Sequence, residues 1–195
     1  MGLDATGWQA LAALVALAAL AGGALRWREQ ALRREEVLAW GAQAIEALQS
    51  LVLLCALPAG RIDPAVAEAR LSDVIFQTSI LTEQGRMFFK NTRVGRIGKD
   101  KPAAYRGRRP AILDHLIAAH EAAVRLAGGV DLDSRARLSL VAEDSLKGFV
   151  SLIQSEVGRS RVRSPAAGKP GESIRLELLM ARLNPARVDE RLRGD

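Results

Sequence analysis

The chain has 195 residues, 49% of them apolar and only 4% aromatic, with 28 Lys and Arg against 22 Asp and Glu. That length holds one domain of roughly 100–150 residues with room for extra segments. The Ala- and Leu-rich, aromatic-poor composition suits packed helices and argues against a β-sandwich, which draws on Val, Ile, Thr and aromatic residues. A single cysteine, Cys55, excludes an intramolecular disulfide. It lies in the apolar run Leu51–Leu57, where a thiol is a small core residue rather than a nucleophile. Arg outnumbers Lys 23 to 5, the usage of a GC-rich bacterial genome.

Residues 1–4 form a short extracytoplasmic end, and residues 5–26 are expected to cross a membrane as one helix. From Ala5 to Leu25 there is no charge, and Thr6 and Gln9 are the only polar side chains. A run of this length, at about 1.5 Å per residue, covers the roughly 30 Å hydrocarbon core. Trp8 and Trp27 bracket it as interfacial anchors, and Arg26, Arg28, Arg33 and Arg34 follow at once, with Asp4 alone before it. The positive-inside rule therefore puts the N-terminus outside and the C-terminal domain in the cytoplasm of a bacterial inner membrane. A cleaved signal peptide would carry its positive charge before the apolar run, not after it. Small residues at Ala12, Ala16, Ala19, Gly22 and Gly23 leave self-association through the membrane open.

The remainder, 27–158, is expected to be an all-α cytoplasmic bundle of about four antiparallel helices. Leu38, Gly41, Ile45, Leu48, Val52 and Cys55 recur at alternating spacings of three and four, a seam for another helix. Nothing breaks this pattern before Pro58, so the membrane helix is read as continuing into the bundle as a stalk. Asp63-Pro64 is an N-cap with proline in the first turn. It opens a second helix with Leu71, Val74, Ile75, Thr78, Leu81 and Phe88 on one face, fading near Phe89. Gly85 inside that stripe costs about 1 kcal/mol relative to Ala, which points to close packing against another backbone.

Residues 90–109 have no helical period and form a long basic loop. Pro110 opens a third helix, with Leu113, Leu116, Ile117, His120 and Val124 inward, ending at Gly128-Gly129. Asp133 or Ser134 caps a fourth, with Leu138, Val141, Leu146, Phe149, Leu152, Ile153 and Val157 inward. Residues 159–195 read as a Pro/Gly/Ser-rich linker and a flexible basic tail. One short helix stands in it at Leu176, Leu179, Met180 and Leu183, and its last residues are weakly helical or frayed.

Charge is unevenly placed. Residues 86–109 carry nine basic side chains (Arg86, Lys90, Arg93, Arg96, Lys99, Lys101, Arg106, Arg108 and Arg109) against Asp100 alone, while 39–85 and 110–158 are each net acidic. The loop could fold onto acidic helices, pairing with Glu83, Asp114 or Glu143. It could lie on the anionic inner leaflet, or bind another anion such as nucleic acid. Tyr105, the only tyrosine, sits among these cations and either pins the loop together with Phe88 and Phe89 or joins a recognition surface with Arg106, Arg108 and Arg109.

Motifs with catalytic or cofactor chemistry do not emerge. Gly95-Arg-Ile-Gly98 has the GXXG form of KH domains, but no strands stand beside it. A P-loop would need Gly at position 93 and Ser or Thr at 100, where Arg and Asp stand. His115 and His120, five residues apart, lie about 140° apart on a helix and cannot share a metal. His120 falls on the apolar stripe as a satisfied core residue and His115 in solvent. Glu143 and Asp144 are adjacent and point to different helix sides, so no acid/base pair is indicated. The expectation is thus a protein that is no enzyme, with no metal and no cofactor. It would be an interaction, scaffold or regulatory component with a protein partner or self-association. One alternative is an anion-binding module using 86–109, with nucleic acid not the favoured ligand. The other is a helical-bundle sensor of a small molecule.

Overall fold

The computed structural model describes residues 5–57, 61–158, 170–172 and 175–194. It is mostly helical, with several packed helices and no strand among the described residues. The chain divides into two compact units, residues 1–38 and 39–195.

The first unit is the N-terminal part of helix α1, which runs from Ala5 to Ala56. Over Val15–Ala56, a stretch that extends into the second unit, α1 is long and apolar enough, by length and composition, to cross a membrane. Val15, Leu17, Leu20 and Trp27 are all exposed on it.

The second unit begins with the rest of α1. Its buried side is Trp40, Gly41, Ala44, Ala47, Leu48, Leu51 and Cys55, while Ile45 and Val52 are half-buried and Leu53 is exposed. The three-and-four spacing predicted for this seam is present, but its phase is rotated toward Trp40. The indole of Trp40 contacts Phe88, Phe89 and Phe149 with ring centroids 5.4–5.9 Å away, and its Nε1–H donates to the Leu81 carbonyl at 2.9 Å. An aromatic pair adds about 0.5–1.5 kcal/mol beyond area burial, so this residue sets the helix rotation.

Helix α2 (Pro64–Phe88) starts where Asp63 accepts hydrogen bonds from the amides of Ala65 and Val66. Its buried threonines turn inward: Thr78 and Thr82 each donate to the carbonyl four residues back, at 2.7 Å. A hydroxyl satisfied this way can sit in a core. Gly85 is a close-packing site, but against side chains rather than a backbone: a Cβ there would lie 2.5 Å from Leu113 Cδ2 and 2.7 Å from Trp40 Cζ2.

Helices α3 (Ala111–Ala127) and α4 (Leu132–Glu156) follow. Asp131, not Asp133 or Ser134, caps α4, accepting from the Ser134 amide at 2.7 Å. The core of α3 includes Ala118, Ala119, Ala122 and Ala123, whereas Val124, predicted inward, is exposed. His120 is the satisfied residue expected, with Nδ1 3.1 Å from Thr78 Oγ1 and 3.2 Å from the Ile75 carbonyl. His115 is not in solvent: its ring packs against Gly148, where any Cβ would collide with it. Helices α2 and α3 run in opposite directions, α3 packs on α4, and α1 packs on α4. Residue 85 meets 113 and 78 meets 120, while 115 meets 148 and 41 meets 153.

The tail departs most from expectation. The short helix expected at 176–183 is α5 (Leu176–Ala181), and in place of a frayed end there is a second helix, α6 (Pro185–Gly194). Val188 is only 2% exposed. Arg187 makes a two-pronged contact with Asp144 at 2.9 Å, and Arg191 binds Glu143 and, at 3.0 Å, Ser139. The basic residues that suggested a solvated tail are the ones that fasten it to α4. The predicted linker at 159–169 lies outside the described residues.

Candidate functional site

The basic loop leaves the helices at a defined point. Phe89 is buried against Trp40 and its amide closes the last turn of α2 on the Gly85 carbonyl at 2.9 Å. The chain then comes back on itself: Thr92 and Arg108 exchange backbone hydrogen bonds of 2.8 and 2.9 Å, the one short hairpin-like bridge in the loop. Gly107 permits this crossing. Its φ is +89°, and a Cβ would come within 2.2 Å of the Thr92 carbonyl oxygen. Gly95 and Gly98 also have positive φ, which only glycine adopts without strain, and they shape the turns of the tip.

Side chains then pin the returning limb of the loop to α2 and α3. Glu83 on α2 accepts from the Tyr105 hydroxyl at 2.7 Å and from Arg86 Nε at 3.0 Å, and the Arg86 guanidinium lies 4.5 Å from the Tyr105 ring centroid. Partial burial of Glu83 pushes its carboxyl upward, but the hydrogen bonds from Tyr105 and Arg86 outweigh this and hold it below its ordinary value. The same bond to Glu83 raises the Tyr105 phenol. At the far end Arg109 pairs with Asp114 of α3 at 3.1 Å, and its carbonyl accepts from the Gly171 amide at 2.7 Å.

The nine predicted basic residues thus fall into two groups. Arg86 and Arg109 are anchors, and Arg106 spends its Nε–H on the Lys101 carbonyl at 2.7 Å. Lys90, Arg93, Arg96, Lys99, Lys101 and Arg108 are exposed, with no carboxylate in salt-bridge reach among the described residues. Ion pairing with an acidic helix is therefore present at Arg109 with Asp114, whereas the Arg86–Glu83 pair lies within α2 itself. Glu143 instead serves Lys147 and Arg191. Tyr105 acts as a pin, with its hydroxyl on Glu83, while its ring stays partly exposed. Val94 and Ile97 are exposed at the tip between the cations, beside a recess of about 280 Å³ that Arg93, Arg96, Lys99 and Arg106 also line. Trp27 and Arg28 are exposed; the side chains of Trp8 and Arg26 lie outside those described.

A second cluster escapes sequence reasoning. His115 and Ser145 line a cavity of about 400 Å³ between α3, α4, α5 and the 170–172 segment, with Asp114, Asp144 and Glu172 around it. Its members come from four separate stretches, and no local spacing links them. No family model, curated protein or solved structure matches the chain.

Proposed function

We propose that the chain is a non-enzymatic, single-pass membrane protein. Residues 5–26 would span the bilayer, and the domain beyond would be an antiparallel bundle of about four helices in the cytoplasm. Its 90–108 loop would engage the anionic headgroups of the membrane surface. The observation that carries this reading is the set of six exposed cations without carboxylate partners on a loop whose returning limb is pinned to α2 and α3. A cation near an anionic leaflet contributes about 1 kcal/mol, and pinning lowers the ordering cost of gathering several. Exposed Val94 and Ile97 among these cations suit shallow insertion between headgroups. Single-stranded nucleic acid fits less well, because it wants several aromatic faces to stack on and the 90–109 loop has one aromatic residue, Tyr105, with Arg86 over one face. The membrane span supplies the high local concentration that a weak surface contact needs.

The test is the full chain in nanodiscs with an environment-sensitive label at Ile97→Cys, in neutral and in anionic lipid. The label should shift to an apolar environment only in anionic discs and return with added salt. An identical spectrum in both lipids would remove the loop from membrane contact. A reporter fused after Asp195 tests orientation, and activity on the outer side would reverse it.

A second reading, docking of a protein partner or self-association, is favoured by helix α2. Phe76, Ile80 and Met87 lie at spacings of four and seven on one face, and Met87 is 81% exposed. Photo-crosslinking from position 80 in native membranes would capture that partner; absence of any product removes this reading.

A further inference from the structure

We propose that the cavity between α3, α4 and α5 is a binding site for a small neutral molecule with one polar end and an apolar body. Its volume of about 400 Å³ falls in the roughly 300–1,000 Å³ range of small-molecule sites. Ala118, Val141, Leu179 and Leu183 supply apolar wall. Ser145 carries the argument. It lines the cavity at 4% exposure, yet its hydroxyl has no hydrogen-bond partner among the described residues. The other buried hydroxyls among the described residues are satisfied: Thr78 and Thr82 by backbone carbonyls, Ser139 by Arg191. A ligand hydroxyl, carbonyl or amide seated in the cavity would give the Ser145 hydroxyl a partner.

His115 lines the same space and likewise has no hydrogen-bond partner among the described residues. Burial pushes its ring below the ordinary value, against the opposing pull of Asp114. The neutral ring offers one donor and one acceptor nitrogen, so Ser145 and His115 together suit a hydroxyl, carbonyl or amide. The surrounding charges decide the ligand's own charge. Asp114, Asp144 and Glu172 face Arg109, Arg187 and Arg182 at 3.1, 2.9 and 3.4 Å. An anion would meet three carboxylates, and a cation would find them already neutralised. This site stands apart from the basic loop's proposed lipid contact and from the membrane span.

The experiment uses the full chain, in nanodiscs or in buffer, whichever holds it in solution, with labelled histidines read by NMR. The probe is 2-naphthol, a neutral ring system with one hydroxyl. The His115 ring signal should shift saturably while His120 stays in place. Ser145→Ala should weaken the affinity by about 2- to 10-fold, the loss of one hydrogen bond. Ser145→Leu, which fills the space, should abolish the shift with the His120 signal intact. If that variant does not fold, the alanine variant still decides. No saturable shift in the wild type, or equal affinity in wild type and Ser145→Ala, overturns the proposal.

Discussion

Arg135, in the first turn of α4, closes the C-terminal end of α1 by donating its Nε–H to the carbonyl oxygen of Cys55 at 3.1 Å. Its Nη2 reaches the carbonyls of Leu54 and Leu57, both at 2.8 Å. The last carbonyls of a helix have no donor of their own, and they form the negative end of its dipole. One guanidinium answers both needs. Arg135→Ala should lower stability by about 2 kcal/mol, read as a drop in melting temperature by circular dichroism. Arg135→Lys should recover only part, since an ammonium cannot reproduce the planar fork.

Gly85 gives a packing prediction. A methyl group there meets Leu113 and Trp40 well inside contact distance, so Gly85→Ala should destabilise by about 1–3 kcal/mol despite its better helix propensity. The double variant with Leu113→Ala should lose less stability than the two single losses summed, a coupling that a double-mutant cycle on thermal unfolding measures.

The Glu83–Tyr105 contact gives a pH prediction with two limbs. Glu83 has a folded pKa below its ordinary 4.5, so its contribution is present above that value and lost as pH falls through the folded pKa. Tyr105 has a folded pKa above its ordinary 10.0, so its contribution is present below 10.0 and lost as pH rises through the folded value. Hydrogen exchange of the 92–108 amides should be slowest relative to intrinsic rates between these limits. Tyr105→Phe should remove the alkaline limb and weaken the acid one.

His115 titrates in the opposite sense to a salt-bridged histidine. Its folded pKa lies below the ordinary 6.5, so stability is full above 6.5 and declines as pH falls toward the folded value. His115→Gln should flatten that decline in melting temperature; an unchanged pH profile would mean the ring is not held neutral by burial.

Docking of the tail rests on Val188 as much as on Arg187 and Arg191. Val188→Asp should release α6, making 182–194 sensitive to protease and costing about 1.5–3 kcal/mol. Arg187→Ala alone should cost under about 1 kcal/mol, since its pair with Asp144 is partly exposed.

Much of the helical order was legible because caps and breakers act locally. Asp63-Pro64, Pro110 and Gly128-Gly129 mark ends that the structure honours within a residue or two. Which face is buried was less legible. Ala118, Ala119, Ala122 and Ala123 form much of α3's inner side, yet alanine is nearly silent in a hydrophobic pattern, which therefore points to the larger Val124. Trp40 rotates α1 because three aromatic rings from α2, α4 and the chain after α2 converge on it, a tertiary fact. The split of the loop's cations into anchors and free charges depends on Glu83 and Asp114, residues near in space that sequence could name only as possibilities. The cavity had no signal, since Ser145 and His115 become neighbours only after α3 and α4 pack.

One carboxylate ties these parts together. Asp114 holds Arg109, the downstream anchor of the basic loop, and the same side chain forms part of the cavity wall against Gly171. Should the cavity and the loop both bind as proposed, Asp114 is the side chain through which one event would reach the other. By the reciprocity of linked equilibria, the two would change each other's affinity by one common factor.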